Sequence, residues 1–292
     1  MRVHRPSFLL PTVFFLLLSS NVHAVDVIPG AGVAPPPNLN IFMLSYAHNE
    51  YGDTYVDGEK TPTLKTSGSR DALLLRYSRS FLLQERPSIF CIQPSLIKIS
   101  GRRNQFADQQ TGLGDTGLAF AHWLHADRQQ GDYLAIASYL TLPTGQYDSS
   151  ELVSPGTNRY TFAQQIGYQT GLTDKFDLML STDARWFSDN DETPLRRQKE
   201  QKDVLYSGQV SLMFKPAAGT LLAANYYHHL GGETKVNGIA QDNEENRSRF
   251  GITVRQKTPV GRFTFEASQD LDNENGINED YRLLMRYEKA WK

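Results

Sequence analysis

A single cysteine, Cys91, stands in a chain of 292 residues. No disulfide framework is possible, and a lone thiol reads as a small packed side chain rather than a nucleophile. Beyond residue 24 there is no apolar run of the roughly 18 residues that a membrane-crossing helix requires. Charge of one sign is not in excess: 30 Lys and Arg face 32 Asp and Glu, a net of −2, so nothing points to a nucleic-acid partner. No long stretch keeps a 3.6-residue apolar period, which excludes a helical bundle. The sequence contains neither His-Ser nor His-x-Ser. A barrel-type lipid hydrolase could use such a pair on one strand, its imidazole taking the hydroxyl proton. That leaves a His and a Ser meeting from neighbouring strands as the enzyme alternative; no catalytic residue, metal ligand or cofactor is expected.

The N-terminus is of a different kind. Arg2, His4 and Arg5 precede an apolar run at 8–18, and Val22-His23-Ala24 offers small residues for cleavage. This is the pattern of a secretory signal peptide over residues 1–24. Residues 25–38 hold Pro29 and Pro35 to Pro37 among glycines and read as an extended periplasmic lead-in. Residues 39–292 are then expected to form the folded body.

That body alternates with period two. In 112–145, Leu118, Phe120 and Leu124 alternate with Gly117, Ala119, Ala121 and Trp123. A polar turn at 127–131 follows, and Leu134, Ile136, Leu140 and Leu142 repeat the alternation on the way back. Side chains on a strand point to opposite faces, so each arm has one apolar and one mixed face. The arms exceed the roughly 9–11 residues that a tilted strand needs to cross a bilayer. Strands are expected at 39–48, 71–83, 88–100, 116–126, 132–142, 159–171, 176–187, 203–215, 220–230, 246–258, 262–271 and 280–291. Short connections at 84–87, 127–131, 172–175, 216–219 and 259–261 alternate with longer polar ones at 49–70, 101–115, 143–158, 188–202, 231–245 and 272–279. Outer-membrane barrels alternate in this way because periplasmic turns are tight and outer loops vary. The fold class is all-β: a transmembrane antiparallel up-and-down β-barrel of about twelve strands, with both termini on the periplasmic side. Its mean hydropathy of −0.46 is consistent with this, because only every second residue meets lipid.

Parity separates the two faces. Tyr281, Leu283, Met285, Tyr287 and Trp291 oppose Arg282, Arg286 and Glu288. Phe250, Ile252 and Val254 oppose Arg247, Arg249 and Arg255, and Phe263 and Phe265 oppose Thr264 and Glu266. An arginine against mid-bilayer lipid costs roughly 2–4 kcal/mol, so these charges should face the lumen. The candidate lumen-lining residues are Arg249, Arg255, Glu266, Arg282, Arg286 and Glu288. Two roles fit them equally: setting the polarity of a pore, or stiffening the interior as cross-strand rungs. Trp186, Phe187, Tyr226, Tyr227, Tyr281 and Trp291 fall near strand ends, where aromatic girdles sit. His228 and His229 are adjacent, so a strand would turn them to opposite faces and away from one metal site.

Gly112-Leu113-Gly114-Asp115-Thr116-Gly117 spells G-x-G-x-x-G, but a strand pattern follows where a dinucleotide fold needs a helix. Its glycines fit a bend or bulge instead. The same Gly112–Asp115 stretch is followed by Leu142-Pro143-Thr144-Gly145, Tyr147-Asp148 and Asn158. In this order and spacing it resembles a family of outer-membrane transporters named for the meta-pathway of phenol degradation. The resemblance spans about 39–291 and is densest over 112–172. It implies a β-barrel that passes small hydrophobic or aromatic molecules, and it brings no catalytic residues. One departure is Lys292 after Trp291, where such barrels end on an aromatic residue. A monomeric channel in the outer membrane of a Gram-negative-type bacterium is the leading expectation, its partners being membrane lipid and a small solute. A barrel without a through-path, acting by its loops, is the alternative.

Overall fold

The computed structural model describes residues 26–61 and 66–292. The expected signal peptide lies outside the described residues. Twelve long strands run antiparallel in chain order: β1 Asn40–Val56, β2 Thr66–Leu83, β3 Arg86–Arg103, β4 Phe106–Asp127, β5 Asp132–Leu142, β6 Thr161–Gly171, β7 Phe176–Phe187, β8 Leu205–Phe214, β9 Thr220–Gly231, β10 Glu245–Thr258, β11 Gly261–Asn273 and β12 Gly276–Trp291. The last returns to the first, Asn40 opposite Trp291 and Asn49 opposite Arg282, and closes the barrel. Closure removes the unpaired strand edges that lipid could not solvate.

The tight turns follow from local chemistry. Gln84 and Glu85 both adopt positive φ, 49° and 64°, which matches the right-handed twist of β2 and β3. The Asp127 carboxylate accepts the backbone N–H groups of Gln129 and Gln130 and holds the β4–β5 turn. These turns share one end with the start of β1 and the end of β12, the periplasmic end of an outer-membrane barrel.

The other end differs from expectation in three places, the first at 49–70, where Asn49 to Val56 extend β1 and Thr66 to Arg70 open β2. Residues 101–115 and 272–279, expected as long loops, are mostly strand: β3 and β4 join through 104–105, and β11 and β12 through 274–275. Polar composition signals emergence from lipid, and a backbone ladder continues equally well in water. The four other connections at this end are longer, and short strands at Glu200–Lys202, Thr234–Val236 and Ile239–Ala240 form a small sheet there. Opposite Pro94 the β3–β4 register slips, Gln93 facing Gly117 and Ser95 facing Gly114, so the glycine-rich stretch is a bulged strand.

The faces divide by parity. On β12, Leu283 is 46% exposed and Arg282 is 8% exposed. Phe90, Leu96, Ile166, Val210, Ile252 and Phe265 are exposed on the same outer surface. Ser45, Asn49, Gln165, Ser211, Asn225 and Thr253 are buried within. An apolar exterior around a polar interior inverts a water-soluble fold, and it suits a protein whose outer solvent is lipid. Tyr226 lies outside at 44% exposure, whereas Tyr227, grouped with it as a girdle residue from the sequence, turns into the lumen and is buried.

Candidate functional site: the barrel lumen

The segment read as a periplasmic lead-in runs inside the barrel. Its prolines cannot donate hydrogen bonds, and its carbonyls need donors once buried. The barrel wall supplies them. Arg255 Nη1 donates to the Pro29 carbonyl at 2.8 Å, Trp123 Nε1 to Gly32 at 2.7 Å, Arg128 to Ala34 at 3.2 Å, and Ser80 Oγ to Pro36 at 2.6 Å. Gln209 clasps Val27 by both backbone groups, at 2.9 and 2.6 Å. Gly30 has φ 79°, and a Cβ there would sit 2.5 Å from the Arg255 guanidinium, so only glycine allows this approach.

The segment also carries an acid, Asp26. Asp26 Oδ2 receives Arg249 Nη2 and also Arg282 Nη1, the latter at 3.2 Å. Arg282 forks onto Glu279 through Nε at 2.9 Å and Nη2 at 2.8 Å. Glu279 takes a third bond from Asn49 Nδ2 at 2.8 Å and has Arg249 at 3.8 Å. Arg249, fully buried, also lies 4.3 Å over the ring of Tyr227. Two cations and two carboxylates thus neutralise one another, as buried charge requires.

The six residues singled out from the sequence therefore part ways. Arg249 and Arg282 converge on Asp26. Arg255 grips the segment's backbone. Glu266 accepts Thr253 Oγ1 at 2.9 Å and stands 3.5 Å from the Tyr227 hydroxyl. Glu288 pairs with Arg262 at 3.0 Å. Among the described residues Arg286 makes a single bond, from Nε to Ser45 Oγ at 2.9 Å.

Sequence reasoning missed Asp26 and Glu279, which build this charge set, and Arg76, whose Nε donates to Gln93 Oε1 at 2.7 Å on the inner face. Arg76 was legible by parity, falling between Leu75 and Tyr77 on β2. Asp26 had a fainter signal: four inward arginines against two glutamates left positive charge without a counter-ion.

From the outer end the loop at residues 143–160 also turns inward. Val153 packs with Ala47, Ala72, Ile97 and Ile99 inside the barrel. Asp115, buried in the bulged stretch of β4, fastens both ends of this loop. It accepts Gly145 N at 2.9 Å on one oxygen, and Thr157 N at 2.9 Å and Thr157 Oγ1 at 2.6 Å on the other. Asp108 holds the middle through Leu152 N and Val153 N, each at 3.1 Å. A Cβ on Gly145 would lie 2.7 Å from Gly156 Cα, so the two loop strands meet backbone to backbone. Burial pushes the Tyr147 phenol of this loop above its ordinary pKa.

Between the inserted segment and the wall lies a cavity of about 540 Å³. Met43, Leu74, Ile89, Cys91, Ala119 and Ala137 give it an apolar side, and Arg76, Arg255 and Arg286, with Asp26, Glu266 and Glu288, a charged one. Among the described residues no cluster of three or more His, Cys, Asp or Glu is placed to hold a metal. His229 faces inward, its Nδ1 3.1 Å from Ser207 Oγ.

Twelve strands closed on themselves, an apolar outer belt and a lumen with a partly filled cavity define an outer-membrane channel barrel. The chain belongs to the family described as "Putative MetA-pathway of phenol degradation", which matches residues 58–286. It is similar to the crystal structure of an outer-membrane channel from Pseudomonas putida F1, at 28% identity and TM-score 0.83, over 91% of this chain and 100% of that one. The β domain of the Bordetella autotransporter BrkA (9% identity, TM-score 0.52, 87% of this chain, 100% of that one) shares the barrel fold alone. So does the translocator domain of NalP from Neisseria meningitidis (9%, 0.50, 88% and 89%). No curated protein sequence matches the chain.

Proposed function

We propose that this barrel carries small apolar or aromatic molecules across the outer membrane through its lumen, as a monomer and without a catalytic role. The observation that carries the reading is the apolar side of the cavity. A passage for hydrophilic solutes gains nothing from Met43, Leu74, Ile89 and Ala119, whereas a ring or alkyl chain is stabilised by roughly 25 cal/mol for each Å² of apolar surface it buries there. The cavity of about 540 Å³ falls within the roughly 300–1,000 Å³ of small-molecule sites. Family membership supports the aromatic class, and a barrel closed by its own strands supports action as one copy. The structural similarities are to channels and translocators, which favours transport over catalysis.

A second reading, a barrel without a through-path, draws on the covering of the lumen from both ends by residues 26–38 and 143–160. Uptake of a labelled apolar aromatic compound by cells expressing the protein separates the two. Transport predicts entry several-fold faster than in cells without it, and a return to background in Ala119→Trp, which fills the cavity. Equal rates in all three strains would support the closed barrel.

A further inference from the structure

Among the described residues, two arginines of the cavity, Arg76 and Arg286, form no ion pair. Arg286 on β12 stands opposite Ser45 of β1, and Arg76 on β2 stands opposite Met43 of the same strand. Strands in a sheet lie about 4.8 Å apart, so the two arginines flank β1 with a two-residue offset and face the same space. Each spends its Nε on a neutral acceptor: Arg76 on Gln93 Oε1 at 2.7 Å, Arg286 on Ser45 Oγ at 2.9 Å. Among the described residues neither has a carboxylate within 4.0 Å, and their Nη groups make no hydrogen bond. Glu288, the acid nearest along β12, is engaged by Arg262. Glu266 and Glu288 line the same cavity, but Glu266 is bonded by Thr253 and neither lies within 4.0 Å of Arg76 or Arg286.

Like charges held half-buried oppose folding unless something offsets them. Elsewhere in this lumen the protein offsets them itself, with Asp26 and Glu279. Here it fixes two guanidinium groups by Nε and turns their remaining donors toward a cavity. Guanidinium donors match carboxylate oxygens in geometry and charge. Leu74, Ile89 and Ala119 line the same cavity and offer no polar side-chain group.

We infer that Arg76 and Arg286 form a clamp for the carboxylate of a small aromatic acid whose ring lies on the apolar wall of the same cavity. The site deepens the transport reading above and rests on it for its role, though not for its existence. The pairing of charge with apolar surface sets the class. A bare anion leaves the wall uncovered, and a neutral aromatic leaves the two cations facing each other.

Calorimetric titration of the purified, folded barrel tests the site directly with phenylacetate, its neutral isostere phenylacetamide, and acetate. Phenylacetate should bind at least tenfold more tightly than either. The double variant Arg76→Gln, Arg286→Gln should lose about tenfold or more for phenylacetate and leave phenylacetamide unchanged. Arg286→Lys, which keeps the charge and is the check should the double variant not fold, should retain most of the affinity. Equal binding of phenylacetate and phenylacetamide to the wild type would overturn the clamp, as would an unaltered double variant or acetate binding as well as phenylacetate. If phenylacetate binds as expected yet expressing cells take up neither compound faster than controls, the site stands and the transport reading falls.

Discussion

Asp26 does more than its place in a Pro/Gly-rich stretch suggests. It is the counter-ion at which Arg249 and Arg282, from two different strands, meet, and it anchors the inserted segment to the wall. Removing one member of a buried charge set costs roughly 3–5 kcal/mol, because the remaining charge is stranded. Asp26→Ala should therefore release residues 26–34 while leaving the strands paired, since Glu279 still holds Arg282. Amide hydrogen exchange would show it: at least tenfold faster exchange at Val27 to Val33 and no change in β12. Unchanged exchange in the segment would mean that its backbone bonds to Gln209, Arg255 and Trp123 suffice. Parity brought Arg249 and Arg282 to the inner face on paper, but it could not pair them. Their partner lies 223 residues from Arg249 in sequence, in a stretch without periodicity.

At the scale of elements, the loop at 143–160 and the bulged stretch of β4 act as one unit. The glycines of Gly112–Gly117 looked like a bend, and the register slip opposite Pro94 is one. Its consequence for the loop was not legible, because Asp115 is one acid among many until Gly145 and Thr157 are brought to its two oxygens. Asp115→Ala removes three hydrogen bonds to a buried carboxylate, each worth roughly 1.5–3 kcal/mol. The loop should lift, withdrawing Val153 from Ala72 and Ile97. Protease cleavage within 143–158 on intact cells should then rise several-fold, and cleavage at the same rate as the wild type would contradict this anchoring. Strand positions were legible where the lipid face imposes alternation. The outer ends of β1, β3, β4 and β11 were not, because beyond the membrane both faces are polar and the period-two signal disappears.

For the molecule as a whole, the barrel is specified by what surrounds it. The apolar residues point to lipid and the polar ones to one another, so hydropathy averaged along the chain hides the membrane that parity discloses. Leu283→Arg places a charge against lipid at a cost of roughly 2–4 kcal/mol, whereas Leu283→Val keeps the face apolar. The arginine variant should yield much less folded, heat-modifiable barrel than the valine variant. Equal yields would point to an aqueous environment for this face. Eight strands would fill with side chains and sixteen would leave open water; twelve leave a space that one extra segment can narrow. That segment makes the lumen's state depend on residues 26–38, and here the account is most exposed. Single-channel recording in a planar bilayer, comparing the wild type with a variant lacking residues 26–38, tests it most directly. A path through the lumen narrowed by this segment gives small steps in the wild type and steps several-fold larger in the variant, through the same folded barrel. Silence from both would contradict a path through the lumen.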